Sequence, residues 1–199
     1  YQNQGERNLF IDIYKNEQKI GLLKSLNTSN LEDNEIISKF TNWRNKYMDN
    51  FFTSFEATDK TTKKWLSNFL NCDNEKKLFL VYTDSNKLVG HLGFKNYSSQ
   101  STMIDNAIRG EKGGDPSLFV EAHKTLINWI FRKLNTKEIY GFVMADNPLA
   151  IMMNKRIGWE RWEKYPLKKS TKSSLNYIWQ IGQKGEKSSN EKYCYKISF

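Results

Sequence analysis

The stretch from residue 101 to residue 145 limits the fold more than any other. An alternating segment, STMIDNAIR, runs into glycine-rich RGEKGGDP, then a long apolar helical pattern to residue 134, then EIYGFVMA. Leu118, Phe119, Ala122, Leu126, Trp129, Ile130 and Phe131 fall on one broad face of that helix, which needs a sheet to cover it. A strand, a helix and a second strand in that order make a right-handed crossover, so the two strands are parallel neighbours. Asp115 can cap the helix, Pro116 suits its first turn, and Asn135 can stop it.

The flanks add strands and helices to this unit. Residues 8–14 and 19–26 alternate as a hairpin does. A helix begins at Ser29 or Asn30, with Glu32, Asp33 and Glu35 at its positive end. An aromatic, irregular stretch fills 42–55, and residues 61–70 form a second amphipathic helix. Residues 77–83, 88–95 and 101–109 read as a meander, and further strands fall at 160–168, 174–182 and 192–198. No internal repeat is visible. The expected class is α/β (α+β mixed sheet) with helices packed on the sheet, in one domain. Residues 1–26 are an N-terminal hairpin extension, 27–182 the main unit, and 183–199 a C-terminal strand extension of it.

Composition closes off several alternatives. With 199 residues, 38% of them hydrophobic, the chain can bury a real core. No apolar run approaches the roughly 20 residues of a membrane helix. The chain begins at Tyr1 without a methionine, which leaves a trimmed or fused start open. Cys72 and Cys194 are far apart and read as structural thiols of a reducing, cytoplasmic compartment. Two histidines, His91 and His123, exclude a histidine-rich metal site, and no metal is expected. The net charge of +9 is spread along the chain; its densest cluster, KKSTK at 168–172, reads as a turn. No nucleic-acid-binding motif accompanies that charge, so nucleic acid is the weaker account, and a general solubility effect and an anionic small ligand stay open.

Two segments can carry chemistry. In 109–115, glycines let successive N–H groups face one hollow, the helix start adds positive potential, and Arg109 and Lys112 add mobile charge. That suits a phosphate or pyrophosphate, although Glu111 and Asp115 oppose it and the same glycines also make a plain turn. The second is ADNPLAIMMNKRIGW at 145–159: Asn147 sits at a strand end, where it can cap the helix or bond an amide-bearing ligand.

Strand, glycine turn, long helix, strand, Asn-x-x-Ala, short helix and Gly-aromatic, in this order, resemble the GNAT superfamily of acyl-CoA-dependent N-acyltransferases. The likeness covers residues 77–159. FTNWRN at 40–45 and TTKKWLSNFL at 61–70 are similar to the branch with a WRN segment, which includes acetyltransferases of amino sugars carried on nucleotides and of protein N-termini. The resemblance implies that the strand ending near Ile108 splays from the one ending near Ala145, with the pantetheine arm of acetyl-CoA between them. It places the pyrophosphate on Arg109, Gly110, Lys112, Gly113 and Gly114, and gives Asn147 the pantetheine side. The loop departs from the family pattern, with Lys112 where a glycine is usual. Asn154 stands where the family often has a tyrosine acid, so it can hydrogen-bond the sulfur but not protonate it.

The resemblance therefore implies an enzyme, an acetyl-CoA-dependent N-acyltransferase acting on a primary amine. His91 and Asp105 are the candidate bases. His91 has a suitable intrinsic pKa, and Asp105 is unusual within an apolar strand, where it can instead bind the acceptor's ammonium or hydroxyls, with Asn106 on the opposite face. His123 reads as packing. Trp43, Arg44, Asn45, Phe51, Phe52 and Thr53 fall on the acceptor side, where aromatic rings and arginine suit a nucleotide-linked amino sugar; the bland reading makes Trp43 core. A protein N-terminal amine is the alternative acceptor, and a non-catalytic acyl-CoA-binding module the alternative role. Neither nucleic acid nor membrane is an expected partner, and oligomeric state, a homodimer included, stays open.

Overall fold

In the computed structural model, residues 8–70, 75–171 and 176–199 are described. In chain order the strands are β1 (Phe10–Lys15), β2 (Gln18–Ser25), β3 (Thr53–Ser54), β4 (Lys77–Thr83), β5 (Leu88–Lys95), β6 (Ser101–Arg109), β7 (Glu138–Met144), β8 (Arg161–Thr171), β9 (Tyr177–Ile181) and β10 (Tyr193–Ser198). The helices are α1 (Thr28–Glu32), α2 (Asn34–Lys46), α3 (Asp59–Leu70), α4 (Leu118–Leu134) and α5 (Pro148–Ile157). The sheet order is β1-β2-β4-β5-β6-β7-β10-β8-β9-β3. The pair β6·β7 is parallel, as the crossover through α4 requires, and the other pairings are antiparallel.

The meander strands are buried on both faces. Along β4, Leu78 and Leu80 pack with α2 and α3, while Phe79 and Val81 pack beneath α4. All four are at most 1% exposed. Burying each such side chain stabilises the fold by roughly 1.5–3 kcal/mol. On α4, Leu118, Phe119, Ala122, Leu126 and Ile130 are buried as the spacing predicts. Asn135 ends the helix in the left-handed region, φ 53°.

Four expectations need correction. The helix expected from Ser29 or Asn30 is two helices. Asn27 caps α1 in a reciprocal pair with Asn30, and Asp33 then caps α2 by accepting from the N–H groups of Glu35 and Ile36. The N-cap of α4 is Ser117 rather than Asp115, whose carboxylate accepts from the Ser117 N–H at 2.7 Å. Lys168–Thr171 of the basic cluster belong to β8 rather than to a turn; Lys172 lies outside the described residues, as does Cys72. The last strand, β10, is no appendage in space, because it lies between β7 and β8.

Candidate active site

Strands β6 and β7 pair only at Ser101–Met103 against Glu138–Tyr140. Beyond Met103 the two part, and among the described residues no strand pairs with that edge of β6. A bulge coincides with the parting. The β5·β6 register runs His91↔Ile108 and then Gly93↔Asp105, so β6 carries one extra residue there. Asn106 makes the bulge by taking φ 54°, a conformation asparagine tolerates better than most residues. The carbonyl oxygen of Asn106 accepts from His91 Nδ1–H at 2.7 Å. A carbonyl only accepts, so the neutral imidazole carries its hydrogen on Nδ1 and keeps a lone pair on Nε2.

His91 is 2% exposed and stacks on Phe40, with ring centroids 4.4 Å apart. Burial pushes its pKa down to about 4 against the opposing effect of the Asn106 bond. Asp105 follows the open edge of β6. Its carboxylate pairs with Lys95 Nζ at 2.6 Å and accepts from Asn106 Nδ2 at 3.1 Å. Asn106 was expected on the opposite face from Asp105; its left-handed turn brings the two side chains together instead.

The parting opens into a cleft of about 1160 Å³. Ligand pockets commonly hold about 300–1,000 Å³, so this one has room for a cofactor arm and an acceptor. Met103 to Arg109 of β6 line it, as do Gly141 to Met144 of β7, Asn147 and Asn154. Asn147 Oδ1 accepts from Ala150 N–H at 3.1 Å as the cap of α5, which leaves its amide hydrogens for a ligand. Asn154 donates from Nδ2 to Ala150 O at 2.9 Å and keeps one amide hydrogen.

The glycine-rich loop lies at one end of the cleft. Arg109, Pro116, Phe119 and Val120 line the cleft, whereas Gly110, Lys112, Gly113 and Gly114 do not. A Cβ at Gly110 would stand 2.0 Å from the Trp43 ring, and Gly114 takes φ +64° with its missing Cβ directed at Thr83. Glu111, the negative charge that opposed anion binding, is drawn to Lys39 and Lys87. The carboxylate of Asp115 is held at about pKa 2 by the Ser117 hydroxyl and N–H and then by Lys15. Lys112 is exposed. No carbonyl of α4 reaches the N–H groups of Phe119 and Val120, which lie in its first turn.

Another part of the cleft is aromatic. Phe51, Phe52, Phe55, Phe142 and Trp179 line it with Arg44, whose guanidinium lies over Phe51 at 4.2 Å and Phe55 at 4.7 Å. Arg44 also donates from Nη2 to Thr53 O. Among the described residues, three buried side-chain polar atoms lack a hydrogen-bond partner: Arg44 Nη1, Trp159 Nε1 and Trp179 Nε1. All three residues line this cleft. Leaving such a donor unpaired costs about 1–3 kcal/mol, a cost that a binding site carries and a plain core avoids.

The structure thus brings His91, Asp105, Asn106, Ile108, Arg109, Asn147, Asn154, Arg44 and Phe52 to one cleft. Trp43 is core at 4% exposure. Asn45 is taken up by the backbone of Ala57, to which it both donates and from which it accepts. His123, expected as packing, is 2% exposed and also borders the cleft. Phe142 and Trp179 were not foreseen: each belongs to a plain alternating strand, and only the sheet order brings them near residue 52. The described residues hold no cluster of histidine, cysteine, aspartate and glutamate fit for a metal. No described helix is long and apolar enough to cross a membrane.

The residues fit acetyl-CoA: an unpaired strand edge for an extended arm, a helix start and an arginine for phosphate, and orphaned donors nearby. Comparison with known proteins agrees. The sequence profile of the acetyltransferase (GNAT) domain matches residues 26–160. No curated protein sequence matches the chain significantly. Among solved structures, a GNAT-family acetyltransferase from Bacillus anthracis superposes with a TM-score of 0.67 at 16% identity, covering 96% of this chain and 98% of that one. Spermidine N-acetyltransferase from Vibrio cholerae, solved with CoA and spermine, gives 0.62 at 15% identity over 89% and 93%. An acetyl transferase from Salmonella typhimurium that modifies the N-terminal serine of ribosomal protein L7/L12 gives 0.67 at 11% over 96% and 98%. At these identities the superpositions show the shared fold, and the profile over most of the chain shows the family. The chain belongs to the GNAT acetyltransferases, acetyl-CoA-dependent transferases built on a splayed sheet.

Proposed function

We propose that this protein transfers an acetyl group from acetyl-CoA to a primary amine, and that its preferred acceptor is an amino sugar carried on a nucleotide. The observation that carries the reading is the parting of β6 from β7 above Met103, which opens an unpaired strand edge into the cleft. Bound acetyl-CoA supplies the activated thioester. The β6 edge from Ile104 to Arg109 offers backbone N–H and C=O groups to an extended arm, as a neighbouring strand would. Arg109 and the first turn of α4 receive phosphate charge at one end. Asn147 offers its amide hydrogens to the arm. Gly110, Lys112, Gly113 and Gly114 shape the loop that holds Arg109 and the start of α4 in place.

Of the two expected bases, Asp105 is better placed. Its carboxylate is held by Lys95 and Asn106 and lies on the cleft wall. It can hold the acceptor ammonium and take its proton, a contribution of about 10²–10⁴-fold. His91 is neutral and weakly basic with a pKa of about 4, and its bond to Asn106 O suits it to holding the bulge. Asn154 hydrogen-bonds a departing thiolate without protonating it, and a thiol of pKa about 8.5 leaves readily enough as the anion. Fixing both reactants in one cleft adds as much as about 7–11 kcal/mol in well-oriented cases.

The aromatic part of the cleft supports the nucleotide-linked sugar, because Phe51, Phe52 and Phe55 give faces on which a base can stack. A protein N-terminal amine is the second reading. Leu149 and Met152, 73% and 46% exposed at the cleft rim, could rest against a polypeptide, and the Salmonella typhimurium relative acts on a ribosomal protein. A thiol-release assay with acetyl-CoA separates them. The panel comprises a uridine diphosphate-linked amino sugar, the free amino sugar, spermidine and short peptides with free N-termini. The highest kcat/KM is expected with the nucleotide-linked sugar. Fastest turnover of peptides would favour the second reading. Acetyl-CoA binding without thiol release would make the protein a binding module, and absence of micromolar binding would reject the proposal.

A further inference from the structure

Charge in the cleft is lopsided. Among the described residues Arg44, Lys95, Arg109 and Arg156 line it against one carboxylate, Asp105, and that carboxylate is already paired with Lys95. Arg109 ends β6, where its side chain donates to Pro116 O just before α4, and Arg156 lies in α5. Arg44 stands alone in the aromatic part. Among the described residues no carboxylate pairs with it. Its Nη2 is spent on Thr53 O, its Nη1 is buried with no partner, and its plane lies over Phe51 and Phe55.

A second orphaned donor belongs to the same corner. Trp179 Nε1 is buried without a partner, and the Trp179 backbone N–H donates to Phe52 O at 2.7 Å. The segment Phe52-Thr53 therefore ties Arg44 on one side to Trp179 on the other. Both orphaned atoms are buried from solvent, so an acceptor in the cleft meets Arg44 through the part of its side chain that lines the wall. A guanidinium offers only hydrogens and a positive charge, so the ligand that satisfies it brings negatively charged oxygens. Desolvation lowers the Arg44 pKa to about 10, which leaves it cationic at neutral pH and short of a counter-charge.

We propose that Arg44, on the wall segment backed by Trp179, forms an anion subsite in the acceptor half of the cleft, so that the amine acetylated by this protein carries a phosphate or a carboxylate. This rests on the acceptor reading of the cleft given above, and it is narrower. It makes a polyamine a poor substrate, because a cationic chain would meet Arg44 with nothing to offset it. The subsite reads the charge of the acceptor; it does not touch the reacting atoms.

The test has two parts. First, kcat/KM is measured for matched amines: glucosamine against glucosamine 6-phosphate, and pentylamine against 6-aminohexanoate. Second, CoA-saturated protein is titrated with uridine diphosphate and, separately, with succinate, to tell phosphate from carboxylate. At least one anionic amine should exceed its partner by about tenfold or more, and the corresponding anion should bind. Arg44→Gln should bring the anionic-to-neutral ratio near one and weaken anion binding at least about tenfold, while acetyl-CoA affinity holds. Arg44→Lys, which keeps the charge, should restore part of the ratio. A ratio is compared because loosening the Phe51–Phe55 loop would lower both members of a pair alike. No preference and no anion binding in the wild type, or an unchanged ratio in Arg44→Gln, would overturn the subsite. Thiol release from neutral amines with that result would leave the transferase reading standing; loss of acetyl-CoA binding in the wild type would remove both.

Discussion

His91 donates its Nδ1 hydrogen to the carbonyl oxygen of Asn106 at 2.7 Å, and that bond holds the left-handed residue at which β6 bulges. The bulge falls just past Met103, the last residue of β6 in register with β7. A buried imidazole on one strand thus braces the bulge of its neighbour, beyond the point where the parallel pairing has ended. The extra residue increases local twist and bends the strand, which turns the edge of β6 toward the cleft.

The same histidine makes stability depend on pH. Burial holds both His91 and His123 at about 4, below the ordinary 6.5, and each gives its Nδ1 hydrogen to a backbone carbonyl. Between pH about 6.5 and about 4 the unfolded chain holds more protons than the folded one, so stability falls as pH falls. The contribution is full above about 6.5 and lost near 4, roughly 3 kcal/mol for each histidine at the limit. Urea unfolding between pH 7 and pH 4 should show that decline. His123→Gln should make it shallower, and an unchanged slope would show that His123 does not titrate this way.

Asp105 is expected to act on the acceptor and not on the cofactor. Asp105→Asn keeps the shape and the bond to Asn106 but cannot take a proton. Turnover should fall by about 10²–10⁴-fold, while acetyl-CoA affinity measured by calorimetry stays within about twofold. Turnover close to the wild type would place the base elsewhere, and His91→Gln would be the next variant to assay.

Gly114 should be intolerant for reasons of backbone rather than charge. Its φ is +64° and a Cβ would meet Thr83 Cγ2 at 2.9 Å and Leu118 Cδ2 at 3.2 Å. Gly114→Ala should cost about 1–2 kcal/mol of stability and weaken acetyl-CoA binding, because the loop sets the position of Arg109 and the start of α4. Unchanged melting and unchanged affinity would show that the loop adapts.

Periodic parts of the fold could be read from the chain. The buried run of β4, the long apolar face of α4 and the Asn147-Pro148 start of α5 each carry a local signal strong enough to fix the element. The break between α1 and α2 was missed because Asn27 and Asp33 are both good caps, six residues apart, and the pattern alone does not say that both are used. The bulge at Asn106 is not fixed by the sequence for a similar reason, since an asparagine within a strand permits a positive φ without requiring it. Order and spacing marked Ile108, Arg109, Asn147 and Asn154, together with Arg44, Phe51 and Phe52, all of which lie on the cleft wall, but not that Gly110 and Lys112–Gly114 lie off it. The far side of the acceptor wall was not legible. Trp179 and Phe142 meet Phe52 only because β9 pairs with β3 and β10 lies between β7 and β8, and such neighbours are set by the whole sheet.

The most direct measurement is a crystal structure of the protein with CoA bound. Pantetheine atoms should lie in the gap between Ile104–Arg109 and the end of β7, hydrogen-bonded to the β6 backbone, with the diphosphate at Arg109 and the first turn of α4. CoA found elsewhere on the surface, or β6 and β7 closed against each other along their full length in that crystal, would contradict the account.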